Sequence, residues 1–92
     1  MYTASDARMD SLLSNTDVDK RSKLMTMVKI YEEKIQSAAA HGEYELTISK
    51  EEFERDFEND KGLISGVLLA LSYRGFYVFE PSLASTEYEF EW

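Results

Sequence analysis

Ninety-two residues with a formal net charge of −8 and no cysteine make one domain at most, without disulfides or thiolate metal sites, and point to a reducing cytoplasm. The 43% apolar and 13% aromatic content is too high for a disordered acidic tail, and a chain of this length buries roughly 64% of its unfolded surface. The charge is unevenly placed: residues 1–42 hold six acids and six bases, whereas residues 43–92 hold twelve acids and four bases.

In chain order, residues 3–13 read as a short helix, with Thr3 and Asp6 as an N-cap pair. Ser14-Asn15-Thr16-Asp17 breaks it. A longer helix is expected over 18–40, because Leu24, Val28, Tyr31, Ile35 and Ala38 recur at alternating spacings of four and three and so share one face. Gly42 supplies the left-handed residue that a helix end favours. The period then becomes two: Tyr44, Leu46 and Ile48 fall on one face of a strand over 43–48, and Glu43, Glu45 and Thr47 on the other. Ser49 with Glu52 reads as a capping box opening a short helix whose Phe53 and Phe57 point inward. Asn59 or Asp60 caps a more apolar helix carrying Leu63, Ile64, Val67, Leu68 and Leu71 and ending at Arg74-Gly75. Gly66 inside that helix costs about 1 kcal/mol relative to alanine, which suggests that another helix approaches closely there. Strands are expected over 76–80 and 87–92, joined by a loop over 81–86.

The expected fold is therefore a single α+β domain: an N-terminal helix and break over 1–16, then a core over 17–92 with helices packed on a small three-stranded antiparallel sheet. The order helix, strand, helix, helix, strand, loop, strand over 18–92, with the phrase Leu71-Ser72-Tyr73-Arg74-Gly75-Phe76-Tyr77-Val78, resembles the winged-helix family. That resemblance implies that the first strand pairs antiparallel with the last, and that the third helix of the core would read duplex DNA. The sequence departs from the family at that helix, which has Lys61 and Arg74 only at its ends and no row of Arg, Asn or Gln for base edges. The hairpin standing for the wing carries Glu80, Glu87, Glu89 and Glu91 where DNA would call for Lys or Arg. Direct binding of nucleic acid is therefore not expected. The phrases Ala38-Ala39-Ala40-His41-Gly42-Glu43-Tyr44 and Gly75-Phe76-Tyr77-Val78, with Phe90-Glu91-Trp92, also resemble small proteins of tailed phages.

Catalytic chemistry finds little footing, and the chain is not expected to be an enzyme. His41 is the only histidine and falls in the last turn of a helix, where a cap or surface role suits it. No G-x-S-x-G elbow or Gly-rich phosphate loop is present. Residues 56–67 start like a calcium loop, but the glycine comes one position late and Val67 stands where a bidentate Glu is needed. No cofactor or metal is expected. No run of 18 apolar residues suits a membrane, and residues 1–6 lack the features of a signal peptide.

The acids carry the content. With the first strand beside the last, Glu43 and Glu45 project to the same side as Glu87, Glu89 and Glu91, and no Lys or Arg in either strand offsets them. Glu51, Glu52, Glu54, Asp56 and Glu58 form a second acidic cluster. Two readings compete: a solvated outer face whose charge guards against edge-strand aggregation, or carboxylates that imitate a phosphate backbone. Residues two apart on a strand are about 6.6–6.8 Å apart, close to the interval between phosphates on one DNA strand. In size and charge the chain resembles the Arn-type anti-restriction proteins of T-even phages, acidic DNA mimics that inhibit a host restriction enzyme. This implies a host DNA-binding, restriction or defence protein as partner, and the host cytoplasm as location. The expected binding residues are Glu43, Glu45, Glu87, Glu89 and Glu91, then Glu51, Glu54 and Glu58. Tyr77 and Phe79 have the opposite parity to Phe76 and Val78, so one pair faces outward, onto a partner, beneath the N-terminal helix or into a homodimer. The competing function is a structural or assembly subunit of a phage particle or protein complex, held by that aromatic face.

Overall fold

The computed structural model describes residues 1–83 and 85–92. Among the described residues four helices and three strands follow one another as α1 (Ala4–Ser14), α2 (Val18–Ala40), β1 (Glu45–Ser49), α3 (Lys50–Asp56), α4 (Lys61–Tyr73), β2 (Tyr77–Phe79) and β3 (Glu87–Glu91). Local chemistry sets most of these boundaries. Thr3 and Asp6 form the reciprocal capping box of α1. Asp60 Oδ1 accepts the Leu63 amide to start α4. Gly42 and Gly75, both at positive φ, let the chain leave α2 and α4. At α3 only half of the expected box forms: Ser49 Oγ accepts the Glu52 amide.

The sheet is antiparallel, in the order β1-β3-β2, so β3 is central and the first strand does lie beside the last. The helices cover one side of it. Tyr31 of α2, Phe53 of α3, Phe57 at the C-cap of α3, and Phe90 of β3 are fully buried together, with Phe53 stacked on Tyr88 at 4.2 Å and tilted against Phe57 at 4.7 Å. Two phenols tie this cluster to α3: Tyr31 Oη donates to Asp56 (2.7 Å), and Tyr88 Oη donates to Glu54 (3.3 Å). Burial raises the Tyr31 pKa, as do the hydrogen bond and negative charge of Asp56. The α2 stripe is buried as expected at Leu24, Val28, Tyr31 and Ile35; Met27 joins it, and Ala38 is half-buried. Gly66 is where α4 meets α2, since a Cβ there would lie 3.1 Å from Leu24 Cδ1. The N-terminal helix packs on α4, where Ser5 Oγ donates to the Tyr73 carbonyl at 2.8 Å.

Three expectations need correction. The first strand begins at Glu45, not residue 43, and Tyr44, expected on one strand face with Leu46 and Ile48, is 77% exposed. Pairing explains this: Glu45 opposes Glu91, the last residue of β3, so Tyr44 lies beyond the ladder. The second strand is three residues long, not five, with Phe76 packing against the core just before it. The last strand stops at Glu91, although the Trp92 amide still donates to the Tyr44 carbonyl at 3.2 Å. Within the expected loop over 81–86, Ser82 and Ser85 form an isolated antiparallel bridge, and Ala84 lies outside the described residues. Among the described residues no helix is long and apolar enough to cross a membrane.

Candidate protein-binding face

Antiparallel partners share a face, so the register assigns both sides of the sheet. Leu46, Ile48, Val78, Tyr88 and Phe90 turn toward the helices. The other side carries Glu45, Thr47 and Ser49 on β1, opposite Glu91, Glu89 and Glu87 on β3. On the far side of β3, Tyr77 opposes Glu91 and Phe79 opposes Glu89. One face thus holds four glutamates with two aromatic rings beside them, and none of the three strands contains Lys or Arg.

This face is uncovered. Tyr77 is 67% exposed and Phe79 48%, while Glu45 and Glu87 are exposed and Glu89 and Glu91 half-buried. Tyr77 and Phe79 are therefore the outward pair of β2, and they do not lie beneath the N-terminal helix, which packs on α4. Glu45 and Glu91 stand directly opposite one another, an arrangement that destabilises a sheet by roughly 0.2–1 kcal/mol. The carboxylates of Glu43, Glu45, Glu87, Glu89 and Glu91 make no hydrogen bond or ion pair among the described residues. The described ion pairs all lie elsewhere: Lys20–Asp60 at 3.3 Å, Lys23–Glu58 at 3.7 Å and Arg74–Glu32 at 3.0 Å.

Two of the helical acids are engaged within the molecule. Glu54 accepts from Tyr88, a residue of the helix-facing side, and Glu58 pairs with Lys23 of α2. Both have internal partners. Glu51 is exposed in the first turn of α3. Glu43 is exposed just before β1 and borders, with Tyr44, Glu45, Tyr77, Glu91 and Trp92, a depression of about 520 Å³ at one end of the sheet. Sequence parity foresaw that Glu45, Glu87, Glu89 and Glu91 share one face, whereas Glu43, expected in the same row, lies before β1 and outside the ladder. Parity missed the depression, because Tyr44, Tyr77 and Trp92 meet only through the register of all three strands.

His41 is the exposed C-cap of α2, with Nδ1 2.7 Å from the Ser37 carbonyl oxygen. Among the described residues no group of three His, Asp or Glu side chains could hold a metal ion. Comparison of the chain with protein-family models, curated proteins and solved structures found no match.

Proposed function

We propose that this protein acts stoichiometrically, laying its acidic sheet face into the basic nucleic-acid groove of another protein as a mimic of DNA. The observation that carries this reading is the in-register row of Glu45, Glu87, Glu89 and Glu91 on an uncovered face with no base in the strands. The carboxylates of the row make no hydrogen bond or ion pair among the described residues, and its directly opposed pair works against the sheet. A groove built for phosphates supplies the cations it lacks, and attraction between exposed charges is screened by salt, so binding should weaken as the salt concentration rises. A host restriction or other defence enzyme of a phage-infected cell fits this chemistry.

The test is a pull-down from host lysate eluted along a salt gradient, with the parent and a Glu87→Lys, Glu89→Lys, Glu91→Lys variant. The variant should keep the parent's circular dichroism spectrum and capture nothing. Capture by the folded variant at ordinary salt would overturn the proposal.

The exposure of Tyr77 and Phe79 favours one other reading, an assembly subunit that oligomerises through this face. Light scattering separates the two: an oligomer indifferent to salt supports assembly, and a monomer that forms salt-sensitive complexes with basic proteins supports mimicry.

A further inference from the structure

The depression at the end of the sheet brings together three aromatic residues from three segments: Tyr44 just before β1, Tyr77 at the start of β2 and Trp92 just after β3. The register explains the meeting, since Glu45, Glu91 and Tyr77 are cross-strand neighbours and the Trp92 amide is bonded to the Tyr44 carbonyl. Glu43, Glu45 and Glu91 stand among these residues, and no Lys, Arg or His lines the depression. Tyr44 and Tyr77 are bare to solvent, whereas Trp92 packs partly against the core.

We infer that this depression is an anchor slot for a single arginine side chain on the protein partner. The inference rests on the sheet face being a protein-binding surface and names the side chain that surface captures. The faces of aromatic rings carry partial negative charge and attract cations. Carboxylates beside the rings add charge complementarity and hydrogen-bond acceptors. Arginine suits this mixture better than lysine: its guanidinium is planar, weakly hydrated, able to stack on a ring and able to donate to two carboxylates at once. Arginine is also abundant in phosphate-binding grooves, which joins the slot to the acidic row that runs away from it along β3.

Trp92 is the only tryptophan, so its fluorescence reports on the slot without a label. The experiment titrates the full chain with one short basic peptide in three forms, carrying arginine, lysine or citrulline at its central position. Calorimetry runs in parallel, so that a silent fluorophore cannot hide binding. The arginine peptide should bind saturably, the lysine peptide more weakly and the uncharged citrulline peptide weakest. Tyr44→Leu and Tyr77→Leu should each weaken the arginine peptide about two- to fivefold, the worth of one exposed cation–π contact, and should weaken the lysine peptide less, because its ammonium does not stack on the ring. Glu45→Gln should weaken both charged peptides. Both tyrosines are exposed, so neither leucine variant removes a core residue, and circular dichroism checks each fold.

Equal binding of all three peptides, no binding of the arginine peptide, or full affinity in both leucine variants would overturn the slot. The two proposals fail separately. Salt-sensitive capture of basic proteins, together with unchanged arginine-peptide affinity in both leucine variants, sinks the slot and leaves the mimic standing. Arginine-selective binding without capture of any nucleic-acid-binding protein does the reverse.

Discussion

The Asp60 carboxylate accepts the Leu63 amide through Oδ1 and meets Lys20 Nζ through Oδ2, so one side chain both opens α4 and ties it to α2. The Leu63 hydrogen bond, then Lys20, hold its pKa below the ordinary value of 3.8. Asp6 is lowered in the same way by the Thr3 backbone and hydroxyl. A carboxylate with a depressed folded-state pKa stabilises the fold fully above its unfolded value, and that contribution is lost as the pH falls through the folded value. The acid limb of the stability curve should therefore begin below about pH 4. Asn caps a helix as well as Asp does but does not titrate. Asp60→Asn should thus give a shallower acid limb than the parent, read as melting temperature against pH. Parallel limbs would show that Asp60 contributes nothing there. At the opposite end of the burial scale, Phe53 is fully enclosed among Tyr31, Phe57, Tyr88 and Phe90, and Phe53→Ala should cost about 3–5 kcal/mol by urea unfolding.

At the level of elements, Gly66 lets α4 and α2 approach at the cost of a weak helix position. An alanine there gains about 1 kcal/mol of helix propensity but presses on a buried Leu24 methyl. A double-mutant cycle separates the two effects. Gly66→Ala should stabilise the Leu24→Ala variant more than it stabilises the parent, by about 0.5 kcal/mol or more. Equal effects in the two backgrounds would mean that the contact does not limit the approach. The helices and their caps were legible because their signals are local: Thr3 with Asp6, Asp60 before Leu63, Gly42 and Gly75 after the last turns. The limits of the strands were not, because they depend on partners far along the chain. Tyr44 continues the alternation of Leu46 and Ile48, yet the ladder begins at Glu45 because β3 offers Glu91 as its last paired residue. The outward turn of Tyr77 and Phe79 likewise needed the β2–β3 register, which parity within one strand cannot supply.

For the molecule as a whole, all the helices packed on the sheet lie on its apolar side and the other side stays acidic and bare. Salt should then act on stability and on capture with opposite signs. Between about 0.01 M and 1 M the screening length shrinks from about 30 Å to about 3 Å. Screening relieves the opposition of Glu45 and Glu91, so the melting temperature should rise while partner capture falls. A melting temperature that falls across this range would contradict the assignment of repulsion to the sheet face. The central place of β3 also has a consequence in time. β1 and β2 are not hydrogen-bonded to each other, and Glu45 finds its partner 46 positions later, at Glu91. During synthesis the acidic surface therefore cannot accumulate piece by piece. It comes into being only when residues 87–91 pair with the segments 45–49 and 77–79 on either side, and a chain without residues 87–91 carries neither the surface nor the sheet.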